Sequence, residues 1–196
     1  MKYLFIIFLT TALSFGQTSN KTVEKLQKKF DSLTNFQADF IQLSNNEEGL
    51  KGRFYFAQKE KYRIELTNNT IISDGTTIWN LDKNREKVII SNIEDDPLSF
   101  SLREYIFNYP EKCTVTEKEL QNGKTLVTLK ALNTDLNFET ADLYVTSDNL
   151  ISKIEVKDFN DNTFGFVFNN TEVNKNISNS LFEFNENGDY KIIDLR

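Results

Sequence analysis

From Phe36 onward the sequence keeps a two-residue period for most of its length, and that alternation constrains the fold more than any other feature. Phe36, Ala38, Phe40 and Gln42 share one face of an extended segment, and Gln37, Asp39 and Ile41 share the other. Gly52, Phe54 and Phe56 then alternate with Arg53, Tyr55 and Ala57, and Tyr62, Ile64 and Leu66 alternate with Arg63, Glu65 and Thr67. Further extended segments fall at 70–73, 77–81, 87–90, 113–119, 124–131, 138–146, 150–158 and 163–172, with short ones at 181–184 and 190–193. Phe164, Phe166 and Phe168 share one face of the segment that begins at Thr163. Strands of this kind, separated by turn signals every ~8–12 residues, predict an antiparallel all-β sheet or barrel.

The chain has only 7 Gly and 2 Pro, so Asn and Asp must make most of its turns. Asp74-Gly75 and Asn122-Gly123 are hairpin signals, 45–49 reads as a turn, and Ser147-Asp148-Asn149 separates two further strands. Two stretches break the period. Val23, Leu26, Phe30 and Leu33 recur at helical spacing and predict an amphipathic helix over 21–33. Asp96-Pro97 is a helix start, and Leu98, Leu102, Tyr105, Ile106 and Tyr109 continue an apolar stripe, so a second helix is predicted over 97–107 with Pro110 as its stop.

About eleven strands and two helices make a mainly β protein. A sheet with one apolar face must hide it. It can curl into a barrel, fold as a sandwich, or be plugged by the helices, which would then pack on one concave face. The rings of Phe36, Phe40, Phe54, Phe56, Phe138, Phe164, Phe166 and Phe168 would line that face, either as an ordinary core or as the wall of a cavity. No composition break follows the first residues, so 17–196 reads as a single domain.

The inventory excludes much chemistry. The chain has no His, which removes Ser-His-Asp and Cys-His catalysis and every His-containing zinc site. A single Cys removes an internal disulfide and any multi-Cys metal cluster; Cys113 reads as buried and inert. Neither a metal nor a cofactor is expected. A net charge of −6 without a basic stripe argues against nucleic acid. The pairs Glu47-Glu48 and Asp95-Asp96 read as solvated turns rather than acid–base groups, so no catalytic residue is assigned.

Lys2, the apolar run from Leu4 to Leu9 and the small residues up to Gly16 read as a secretory signal peptide over 1–16. The apolar stretch is about 12 residues, short of the ~20 that span a bilayer. Export across the inner membrane is the expectation.

The ordered motifs resemble the outer-membrane lipoprotein carrier family, the LolA-like periplasmic chaperones. After the first helix that family has Phe-x-Ala-x-Phe-x-Gln, here Phe36-Gln37-Ala38-Asp39-Phe40-Ile41-Gln42. A strand opening Gly-x-apolar-x-apolar follows at Gly52-Arg53-Phe54-Tyr55-Phe56, then Ser73-Asp74-Gly75-Thr76-Thr77-Ile78-Trp79, then a Pro-led helix at Asp96-Pro97-Leu98. The resemblance implies an unclosed β-barrel with helices as a lid over an apolar cavity that takes lipoprotein acyl chains. It implies a monomeric periplasmic carrier, not an enzyme, that receives cargo from an inner-membrane lipoprotein-releasing transporter and delivers it to an outer-membrane acceptor. The cavity and lid residues so implied are Leu26, Phe30, Phe36, Phe40, Phe54, Phe56, Tyr62, Ile64, Leu66, Trp79, Leu98, Leu102, Ile106, Phe138, Phe164, Phe166 and Phe168. Trp79 has a second reading as a hairpin anchor. One departure stands out: the family often has a basic residue before Pro at the turn after the second strand, where this chain has Gln58-Lys59. That basic residue helps hold the closed lid, so Lys59, Lys61 or Arg63 would substitute. The departure also leaves room for a relative that carries another lipid-like molecule, a pigment or a glycolipid, on the same fold.

Overall fold

The computed structural model describes residues 20–58, 61–93, 102–185 and 190–196. The expected signal peptide and Leu98 lie outside them. Helix α1 (Lys21–Ser32) buries Val23, Leu26 and Phe30 and exposes Lys21, Lys25 and Lys28, as its apolar spacing requires. It leads into β1 (Asn35–Ser44), the strand on which the sheet is organised. From β1 the chain winds outward through β2 (Glu47–Ala57), β3 (Lys61–Leu66), β4 (Asn69–Ser73), β5 (Thr77–Asp82) and β6 (Lys87–Asn92), each antiparallel to the last. It then crosses to the far edge and winds back through β7 (Cys113–Glu119), β8 (Thr125–Ala131), β9 (Thr140–Val145), β10 (Ile151–Lys157) and β11 (Thr163–Val173), which pairs with β1. A final strand, β12 (Lys191–Asp194), adds in parallel to the free edge of β6.

The order is therefore β12-β6-β5-β4-β3-β2-β1-β11-β10-β9-β8-β7. Among the described residues no pairing joins β12 to β7, so the curved sheet remains an unclosed barrel. The connection from β6 to β7 must bridge the two outer edges, and its described part is helical. Leu102 and Arg103 lead into a π-helical turn, Glu104–Asn108, and a 3-10 turn, Tyr109–Lys112. Both α1 and this segment bury their apolar side chains against the same face of the sheet, in one cluster with Phe36, Phe40, Phe54 and Phe168.

Turn chemistry sets the register. Asn45 and Asn46 both have positive φ, 47° and 67°, and close a two-residue hairpin of the type that Asn tolerates. The turn is thus tighter than the sequence reading of 45–49, and Glu47 and Glu48 already belong to β2. Gly52 pairs with Leu66 and Phe40, and a Cβ there would lie 2.2 Å from the Glu65 carbonyl and 3.0 Å from the Phe40 ring, so the missing side chain lets that ring lie on β2.

Two boundaries differ from expectation. Pro110 does not stop the second helix; it sits in the opening turn of the 3-10 helix, where its missing N–H is not needed, and the helical path runs on to Lys112. Residues 181–184 do not form a strand. Ser178 caps a 3-10 turn there (Asn179–Phe182) by accepting from the Ser180 N–H at 3.3 Å. The twelve strands of the sheet agree with the mainly β, unclosed sheet expected from the sequence.

The chain after β11 crosses the outer face of the sheet before reaching β6. Phe182 is 2% exposed, and the Leu181 carbonyl accepts from Arg63 Nη1 at 3.3 Å. Beneath this segment Ile72, Val88 and Ile90 are buried although they lie outside the main cluster. The outer face of β4–β6 is thus apolar because something covers it.

The β4–β5 turn is held by one carboxylate. Asp74 Oδ1 accepts from the N–H groups of Thr76 and Thr77, both at 2.9 Å, and from the Thr76 hydroxyl at 2.8 Å. Partial burial alone would raise the Asp74 pKa; the donors of Thr77 and Thr76 outweigh it and hold the carboxyl below its usual value. A lowered folded-state pKa stabilises the fold above the unfolded value and ceases to do so as pH falls through the folded one. Asp74→Ala should therefore cost about 1–2 kcal/mol at neutral pH. Urea denaturation should show the gap between variant and wild type narrowing below about pH 4.

Candidate functional site

The site is the face of the sheet that the two helical elements cover. Antiparallel partners share a face, so the register lays out its wall: Ala38 opposite Phe54 opposite Ile64, Phe36 opposite Phe56 opposite Tyr62, and Phe40 opposite Phe168. The rings touch in sequence. Phe36 meets Phe54 at 6.1 Å and Phe168 edge-on at 6.0 Å; Phe168 stacks on Phe166 at 6.5 Å; Phe166 meets Phe40 edge-on at 5.9 Å. Between Phe40, Phe54, Ile64, Phe166 and Phe168 lies a pocket with no polar atom in its lining. Its internal space is ≈ 30 Å³, room for about one or two waters. In this state the rings fill most of the volume that a ligand would take.

The cover is aromatic as well. Phe30 of α1 lies 5.4 Å from Phe56 on the sheet and 6.4 Å from Phe107 on the second helical segment. Tyr105 and Tyr109 flank Phe138 at 5.8 and 5.3 Å. Burial pushes the Tyr105 hydroxyl well above its ordinary pKa, with Tyr109 adding to it; burial likewise raises Tyr109 and the Cys113 thiol. These three groups are therefore uncharged at neutral pH.

Polar contacts hold the cover in place. Gln27 Nε2 of α1 donates to the Ile106 carbonyl at 3.0 Å, and Gln58 Nε2, in the turn after β2, donates to the Leu33 carbonyl at 3.2 Å. Asp31 and Arg103 approach to 4.0 Å, and the Arg103 guanidinium lies 4.4 Å over the Phe107 ring. Of the residues expected to substitute for the basic latch, Arg63 does not. It pairs with Ile72 on the opposite face and binds Glu65 at 2.7 Å. Lys59 lies outside the described residues. Gln58 itself reaches the cover.

The residues named from the sequence divide cleanly. Leu26, Phe30, Phe36, Phe40, Phe54, Leu102, Ile106, Phe138 and Phe168 are buried in one cluster, and Phe56, Tyr62, Ile64, Leu66 and Phe166 pack half-buried against it. Phe164 lies on the same face but is 38% exposed, opposite Ser44 beside the β1–β2 turn. Trp79 is a correction. It pairs with Ile72 and Ile90, in a row that continues from Arg63 on the outer face, and its ring stacks on Phe184 at 6.2 Å. It anchors the carboxy-terminal segment and takes no part in the cavity wall. The sequence reading also missed the wall from β8 to β10, where Val127, Leu143 and Ile154 share one row with Phe166. Their alternation was visible, but nothing in it marked which face turns inward.

No three metal-ligating side chains converge among the described residues, and no helix among them is long and apolar enough to cross a membrane. A curved sheet whose apolar inner face lies under a helical cover is an arrangement that suits an apolar guest. Residues 31–185 match the outer membrane lipoprotein carrier protein LolA, and the chain belongs to that family, whose members are periplasmic carriers of lipoproteins. The chain is 25% identical over 198 residues to an outer-membrane lipoprotein carrier protein of Francisella tularensis subsp. novicida (strain U112), covering 97% of this chain and 94% of that one. Among solved structures it resembles an uncharacterized conserved protein from Thermus thermophilus, with TM-score 0.62 and 14% identity over 91% of this chain and 99% of that one. It also resembles the Mycobacterium tuberculosis lipoprotein LppX, with TM-score 0.52 and 8% identity over 81% and 96%. At these identities the two structures bear on the fold alone.

Trp79 is the single Trp of the chain, which makes the face assignment testable. Adding a long-chain acyl ligand should leave the Trp79 emission maximum in place. The paired variant Trp79→Phe/Phe168→Trp should shift on the same addition. A large shift from Trp79 itself would put the ligand on the outer face.

Proposed function

We propose that the protein carries acylated lipoproteins across the periplasm, from an inner-membrane releasing transporter to an outer-membrane acceptor, by sheltering their acyl chains under its helical cover. Residues 1–16 serve as the cleaved signal peptide and 17–196 as one monomeric carrier domain. The observation that carries this reading is the pocket between Phe40, Phe54, Ile64, Phe166 and Phe168, whose lining is wholly apolar. Family membership supports it for the class of cargo.

The energetics suit a carrier. Burying a methylene is worth ~0.8 kcal/mol, so even part of an acyl chain gives a strong drive for binding. Against this stand the cost of parting the ring cluster and lifting the cover. Because the resting cavity holds only ≈ 30 Å³, the guest must displace Phe rings and helices to enter. The difference between the two terms leaves cargo held firmly in water yet released to a better apolar acceptor. No bond is made or broken, so no catalytic group is needed.

Purified protein mixed with a diacylated lipoprotein while detergent is removed should yield a soluble one-to-one complex on size exclusion. The same polypeptide without its acyl chains should elute alone. Equal binding of the two forms would defeat the proposal.

A further inference from the structure

Among the described residues, a side chain of the open edge of the barrel, Glu117, hydrogen-bonds the start of α1. β7 is the last strand of the sheet on that side among the described residues. Its residue Glu117 pairs with Val127, in the inward row that runs through Val127, Leu143 and Ile154 to Phe166 of the pocket wall. An acid at an inward position interrupts an otherwise apolar row. Its carboxylate turns to α1 instead. Oε1 accepts from the Thr22 backbone N–H at 2.9 Å, and Oε2 accepts from the Thr22 hydroxyl at 2.6 Å. Asn20, at the position where a helix is usually capped by its own side chain, makes no capping bond. Glu117 therefore caps α1 from 95 residues away in sequence, with its negative charge at the positive end of the helix dipole.

The other end of α1 is fixed much more firmly. It continues directly into β1. Asn174 Oδ1, just beyond β11, accepts from both the N–H and the hydroxyl of Thr34 at 2.8 and 3.1 Å, and Gln58 holds the Leu33 carbonyl. One end is hinged on the central strands and the other rests on the free edge by two exposed bonds. We infer that Glu117 is the clasp of the cover: α1 swings about Leu33–Thr34, the Thr22–Glu117 bonds break first, and the acyl guest enters beneath α1 at the β7 edge. The entry route rests on the carrier reading above; the swing of α1 does not.

The test compares wild type with Glu117→Ala, Glu117→Gln and Thr22→Val; Glu117 is exposed and Thr22 half-buried, outside the apolar cluster, so folding should survive. Hydrogen exchange over 20–33 in the ligand-free protein reads the clasp, and uptake of a fluorescent palmitoylated peptide reads the entry. With Glu117→Ala, exchange in the first turn of α1 should rise about fivefold, the usual worth of a lost cap, while exchange in β1 and β11 stays at its wild-type rate. Uptake should quicken by a similar factor. Glu117→Gln, which keeps one acceptor for the Thr22 N–H, and Thr22→Val, which keeps that N–H, should fall between. Unchanged exchange in α1, or an equal rise across the whole sheet, would overturn the clasp. A faster α1 with no peptide taken up by any form would leave the clasp standing and remove the carrier reading instead.

Discussion

A sheet that rolls up without closing has an apolar face it cannot hide by itself. In a closed barrel the wall meets itself across the lumen; here β12 and β7 do not pair, and the inward rows of Phe and aliphatic side chains need a cover from outside the sheet. That requirement assigns work to both helical elements. α1 precedes the central strand and lies over the inner face, and the described part of the segment between β6 and β7 packs on the same face. The fold and the proposed binding function draw on one arrangement, because the cover is packed on apolar rings and tied to its surroundings by a few polar contacts.

The two faces of the sheet handle their apolar surface differently. On the inner face the rings pack on one another and on the helical cover, leaving a small pocket with an apolar lining. On the outer face of β4–β6 the apolar surface is covered by the chain's own carboxy-terminal segment through Phe182 and Phe184. Between them the outer face of β1, β2 and β11 is polar. There Arg53 lies 3.4 Å from Asp39 and 3.6 Å from Glu172, and Glu172 accepts from Gln37 at 2.6 Å. Its charges are exposed and contribute little stability, but they leave the helix-covered side as the apolar one at the centre of the sheet.

Much of this was legible in the sequence because the two strongest signals, period-two alternation and Asn/Asp turns, are local. The inward positions of β1, β2 and β11 could be read because their outer positions are polar. Trp79 could not be placed the same way. In 71–72, 78–79 and 88–90 apolar residues stand at adjacent positions, so alternation does not name a face, and only the cross-strand register does. The strand expected at 181–184 failed for a similar reason: Leu181 and Phe182 are apolar because they cover the outer face, not because they pair. Glu117 was overlooked because its partner Thr22 lies at the other end of the chain. Its one local mark was an acid that breaks the inward row of Cys113 and Val115.

The proposed carrier cycle requires the apolar interior to open around acyl chains. Calorimetric titration of a peptide bearing acyl chains of increasing length tests it most directly. If the chain is buried among the Phe rings, affinity should rise by up to about fourfold per added methylene until the cavity is full, with a negative heat-capacity change on binding. Affinity that is indifferent to chain length, with no heat-capacity change, would contradict the account.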